Sequence, residues 1–210
     1  MSQSVTAYKR TGERGFTLTE LLLVLVVISV VTFMVRPNKT DFERSFFLTN
    51  QAYDIALAVR EAQVYATNIR PDGVDYYVGY GVHFSIASAS DALKFTLFTD
   101  KSSANHFFNV TDGVLKVYTL QGGNKITAIC TVSKSNPAGG CTARTALDVT
   151  FYRPSSLACL GGLFPLSPSS RRTEICIEET DVAEARVTLT ALDGTAKQIR
   201  FYSSGQISIY

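Results

Sequence analysis

From Phe16 to Val35 the chain runs for twenty residues with a single formal charge, Glu20. At about 1.5 Å of rise per residue, a helix of that length measures roughly 30 Å, the thickness of a bilayer's hydrocarbon core. The segment is therefore long and apolar enough to span a membrane. Ahead of it stand Lys9, Arg10 and Arg14 against one acid, Glu13. That positive excess predicts a cytoplasmic N-terminus and an exported remainder. A secretory signal peptide would have a shorter apolar region and a small-residue cleavage site after it. Arg36-Pro37-Asn38-Lys39 offers no such site. Glu20 is the anomaly, because an acid inside an apolar membrane helix costs on the order of 2.5–3.5 kcal/mol at mid-membrane and less near an end. It needs a partner.

Gly15-Phe16-Thr17-Leu18-Thr19-Glu20 with an apolar helix behind it resembles the class III signal of type IV pilins and of the pseudopilins of type II secretion systems. The resemblance implies that a prepilin peptidase cuts between Gly15 and Phe16 and methylates the new N-terminal Phe16. It also implies a partner for Glu20, namely the N-terminal ammonium of a neighbouring subunit in a filament. Two opposite charges desolvated together cost less than either alone. Pro37 matches a proline that many pilins carry just past the membrane-spanning half of the helix, where it would remove a backbone donor and loosen the helix. The motif covers about the first forty residues, so it points to the superfamily and not to one member.

The expected organisation is a cleaved leader at 1–15, a transmembrane or filament-core helix at 16–36, an amphipathic continuation at 37–70 and an exported β-rich domain at 71–210. This is an α+β architecture, with a long N-terminal helix packed on an antiparallel sheet. In the outer helical half Phe42, Phe46, Tyr53, Leu57 and Val64 recur at spacings of four and seven. That stripe is the expected sheet-facing side. The helix should reach about Asn68, with Pro71-Asp72-Gly73 as its stop. Strands are expected around Tyr80–Phe84, Phe95–Leu97, Val114–Leu120, Lys125–Val132, Leu147–Tyr152 and Glu174–Ile177. A C-terminal meander follows, from Ala185–Thr190 through Gln198–Tyr202 to Gln206–Tyr210, with turns at Asp193-Gly194 and Ser203-Ser204-Gly205. Two stretches rich in Gly, Pro and Ser, at 133–144 and 154–172, read as loops.

All four cysteines, Cys130, Cys141, Cys159 and Cys176, lie in the exported part, where an even count favours disulfides. Three pairings are open. Nearness in sequence favours Cys130 with Cys141 and Cys159 with Cys176, and buried free thiols are the alternative.

Enzymatic motifs are absent from the sequence. His83 and His106 are the only histidines, and without a Cys-x-x-Cys pair or a His-Glu-x-x-His run neither suggests zinc. No Gly-x-Ser-x-Gly elbow is present. No cofactor and no metal is expected. Asp100, Ser102, Asn105, Asn109 and Asp112 form an oxygen-rich stretch of the kind calcium prefers, but a solvated hairpin loop is the simpler reading. The net charge of +2 gives no bulk footprint for nucleic acid. Arg144, Arg153, Arg171, Arg172, Arg186, Lys197 and Arg200 cluster late in the chain among Glu174, Glu178, Glu179, Asp181 and Glu184. Some DNA-uptake minor pilins hold phosphate through C-terminal arginines, and Arg171-Arg172 is the pair to suspect here. Ordinary surface charge is the simpler reading.

The resemblance therefore implies a minor pseudopilin or minor pilin of the cytoplasmic membrane. Its partners would be other pilin subunits, prepilin peptidase, the inner-membrane assembly platform and, before assembly, lipid. DNA binding at a filament tip is the alternative.

Overall fold

The computed structural model describes residues 15–35, 39–68, 78–101, 106–109, 111–137, 140–152, 156–161 and 182–210. It is α+β, and the chain divides into one unit at Met1–Thr40 and a second at Asp41–Tyr210.

Helix α1 is Leu18–Val35. Thr17 caps it: its Oγ1 accepts the Glu20 N–H at 3.3 Å, and its carbonyl accepts the Leu21 N–H at 3.2 Å. Thr-x-x-Glu at this position is the sequence of a capping box. Further along, the Ser29 and Thr32 hydroxyls donate to the carbonyls of Leu25 and Ile28, each at 2.7 Å. These back-bonds satisfy the hydroxyls inside the helix, so its outside stays apolar.

Helix α2, Lys39–Thr67, ends one residue short of the expected Asn68. Its faces are the reverse of the sequence expectation. Leu48, Ala52, Ile55, Val59, Ala62 and Ala66 are buried, none more than 2% exposed, while Phe46, Tyr53, Leu57 and Val64 are 48–66% exposed. The side chain of Phe42 lies outside the described ones. The two rows stand about 160° apart at 3.6 residues per turn, so the helix has two opposed apolar faces. Three alanines in the buried row let the backbone approach the sheets closely, and that close packing decides which face goes inside.

The described residues of the domain form ten strands. The first sheet contains β1 (Gly79–Ser85), β2 (Lys94–Asp100), β3 (Gly113–Thr119), β6 (Ala146–Phe151) and β7 (Ala158–Gly161), in the order β3-β2-β1-β6-β7. The second contains β4 (Lys125–Ser133), β5 (Thr142–Arg144), β8 (Val182–Thr190), β9 (Ala196–Tyr202) and β10 (Ile207–Ile209), in the order β10-β9-β8-β4-β5. Every pairing is antiparallel. The expected single sheet is thus two sheets, and together with the buried row of α2 they enclose one core. Phe84 of β1 stacks on Phe201 of β9 at 5.7 Å, joining the sheets.

Two strands fall where loops were expected. β5 is only three residues long, and β7 reads Ala-Cys-Leu-Gly, buried throughout and without alternation. Neither carries a period-2 signal, and each is fixed by pairing with a longer neighbour, β4 or β6. The strand expected at Glu174–Ile177 lies outside the described residues.

Candidate processing and assembly site

Gly15, Phe16 and Thr17 precede the first turn of α1 and are not helical. Gly15 has nothing within 4 Å of where a Cβ would stand, and Phe16 is exposed. The Gly15–Phe16 peptide bond is therefore non-helical and open to a protease, with the helix cap immediately behind it. Glu20 sits in the first turn, where a carboxylate favours the positive end of the helix dipole. Its place in the first turn thus gives the Glu20 carboxylate a local role beside any role toward another subunit. From Leu18 to Met34 every large apolar side chain of α1 is exposed, Val24 the least at 44%.

By length, α1 rises about 27 Å and stands at the short edge of a membrane span. Among the described residues no helix is long and apolar enough to cross a membrane. The span expected from sequence starts two residues earlier, at Phe16.

Pro37, Arg171, Arg172 and Cys176 lie outside the described residues. Cys130 and Cys141 form a disulfide with Cα atoms 5.5 Å apart, tying β4 to the residue that precedes β5. Cys159 is disulfide-bonded as well, which sets aside the free-thiol alternative for the described cysteines. Of the late basic residues, Arg186 holds Glu184 at 2.7 Å, and Arg200 approaches the same carboxylate at 3.5 Å while lying 4.1 Å over the Tyr210 ring. Arg144 donates to Thr131 at 2.9 Å. These arginines are engaged within the domain.

Of the oxygen-rich stretch, Ser102 and Asn105 lie outside the described residues, and its two aspartates are not solvent-facing as a solvated hairpin loop would have them. Residues 106–109 lie on the outer face of the first sheet. There the Phe107 ring occupies the space where a Cβ on Gly161 would stand, 2.6 Å away, and Phe108 packs 4.8 Å from the His83 ring. Asp100 and Asp112 are both buried. Asp112 accepts the N–H groups of Lys101 and Asn109, at 3.2 and 2.8 Å; Asp100 accepts the His106 N–H at 2.7 Å and the Tyr152 hydroxyl. Burial raises the Asp100 carboxyl above the ordinary range, an effect that the Tyr152 hydrogen bond opposes. His106, the one non-glycine residue described with positive φ (66°), is held below the ordinary imidazole value by burial. His83 Nδ1 meets the Asp148 carboxylate at 2.6 Å, and desolvation pushes that carboxyl up. These acids hold backbone and rings together, and among the described residues no group of three or more potential metal ligands occurs. Both aspartates were in view in the sequence, but the aromatic residues that pack on this face of the sheet fall between them in the chain and carry no pattern that marks them.

Residues 10–35 match the prokaryotic N-terminal methylation motif, which is characteristic of type IV pilins and pseudopilins. No curated protein and no solved structure is significantly similar to the chain.

Proposed function

We propose, from the methylation motif at residues 10–35, that this chain is a structural subunit of a pilus-like filament, a minor pseudopilin or minor pilin, and not an enzyme. Prepilin peptidase cuts between Gly15 and Phe16 and methylates Phe16. Residues 16–36 hold the subunit in the cytoplasmic membrane with the C-terminal domain exported, until the assembly platform draws it into a type II secretion pseudopilus or a type IV pilus. The observation that carries this reading is α1, apolar on all sides and capped immediately behind the cleavable bond. Such a surface requires lipid or other apolar helices around it. The outward row Phe46, Tyr53, Leu57 and Val64 on α2 adds apolar surface of the same kind.

Glu20 pairs in this reading with the Phe16 ammonium of a neighbouring subunit, and Pro37 marks the end of the membrane-embedded half. Glu20→Ala should leave membrane insertion intact and reduce recovery in filaments. Thr17→Val, which removes the cap oxygen and keeps the carboxylate, should have the smaller effect on filaments. If Glu20→Ala assembles normally, or if the two variants behave alike, Glu20 has no intersubunit role. DNA capture through Arg171 and Arg172 is the alternative. The engaged state of Arg144, Arg186 and Arg200 lends it no support, and salt-sensitive DNA binding lost on changing Arg171 and Arg172 would be its signature.

A further inference from the structure

Among the described residues the two sheets have four edges, and three are short: β5 and β10 have three residues each and β7 has four. The fourth, β3, has seven, and among the described residues its strand partner is β2 alone. Edge strands are ordinarily blunted by brevity, charge, proline or cover, because their unpaired N–H and C=O groups invite another strand. β3 reads Gly-Val-Leu-Lys-Val-Tyr-Thr, with no proline, no acid and one cation, and its Val114, Leu115 and Val117 are 54%, 40% and 50% exposed. Beside this edge a cavity of about 280 Å³ opens, apolar where Val114, Val117 and Phe108 line it and polar on its other side, where His83, Ser85, Asp91, Lys94 and Thr96 stand.

We propose that β3 is a strand-addition site, which takes an extended segment of a different protein along its free edge, with an acidic residue facing Lys116 and an apolar side chain entering the cavity at Val114 and Val117. In strand addition, main-chain hydrogen bonds supply affinity and pockets for alternate side chains supply specificity. Val114, Val117 and Phe108 give the cavity an apolar wall for such a side chain. The charge on β3 selects against a second copy of this chain. A two-fold antiparallel pairing of β3 with β3 about its midpoint would set Lys116 across from Lys116, and like charges directly opposite one another destabilise a strand pair. An acid in that place stabilises it. Lys116 is held over the Tyr118 ring at 4.2 Å, and Tyr118 donates to Glu61 of α2 at 3.0 Å, so the ammonium is presented in a defined place.

The test uses the full chain in detergent and two synthetic seven-residue probes of alternating Val and Thr, one with Glu at its centre and one with Lys. Hydrogen exchange over residues 113–119 is followed by mass spectrometry. The Glu-centred probe should slow exchange there at least about tenfold at saturation. The Lys-centred probe should need about fivefold more peptide for the same effect, and Lys116→Glu should reverse the preference. Lys116→Gln, which introduces no new charge, should abolish it. Unchanged exchange with both probes, or an equal response to both, would overturn the proposal. Protection of 113–119 that rises with the concentration of the chain alone would also overturn it, by giving the edge to a second copy.

Discussion

Replacing Ile55 and Leu57 separately by alanine tests which face of α2 holds the domain together. Ile55 is completely buried among the two sheets, whereas Leu57, two positions on, is 66% exposed. Ile55→Ala removes three carbons from a filled core. At about 0.8 kcal/mol per buried carbon the transfer loss is roughly 2.4 kcal/mol, and an unrelaxed cavity brings the total to about 3–4 kcal/mol. Leu57→Ala removes the same number of carbons from a site that is about one-third buried, so its cost is under about 1 kcal/mol. Urea unfolding of the full chain in detergent, followed by far-ultraviolet circular dichroism, reads both. The midpoint should fall substantially for Ile55→Ala and barely for Leu57→Ala, with the slope unchanged in each. A larger loss for Leu57→Ala would restore the aromatic row to the core and refute the packing described here. The same Leu57→Ala should matter more in filament recovery than in unfolding, because the Leu57 side chain lies largely exposed on the outward face.

Acidification should act through His106. Its folded value lies below the unfolded one of 6.5, so the stability it contributes is complete above pH 6.5 and is lost as pH falls through the depressed folded value. As pH falls from neutral, the unfolding midpoint of the native chain should therefore drop relative to that of His106→Asn, a change that tolerates the positive φ and leaves the raised Asp100 and Asp148 carboxyls common to both. Replacing Cys130 and Cys141 by serine opens a loop of sequence separation 11. In the chain-entropy model this should cost about 2–3 kcal/mol, read as a lower urea midpoint and a smaller response to reducing agent, which still acts on the Cys159 bridge.

The motif at residues 10–35 was legible because its constraint is composition: a long apolar run with one acid at a fixed distance from a glycine needs no tertiary information. Strands β1, β2 and β4, with branched and aromatic residues in period 2, were legible for a similar reason, as were the turns at Gly194 and Gly205, both at positive φ. The orientation of α2 was not. Phe46, Tyr53, Leu57 and Val64 form as regular a row as Leu48, Ala52, Ile55, Val59, Ala62 and Ala66, and periodicity alone does not say which row a sheet will cover. The larger side chains suggested the wrong one, whereas the close approach of backbone to sheet selected the alanines. β5 and β7 escaped because strands of three or four residues are defined by their partners. Asp100 and Asp112 read as solvent-facing for want of any local sign that Phe107 and Phe108 would lie over that face of the sheet.

The most direct test of the central claim is the intact mass and N-terminal sequence of the protein extracted from membranes of cells that possess prepilin peptidase. A chain that begins at Phe16 and carries one added methyl group on its amino nitrogen is the predicted result. A chain that begins at Met1 in such cells would contradict the account, leaving a membrane-anchored α+β domain with no reason to assign Glu20 a part in assembly.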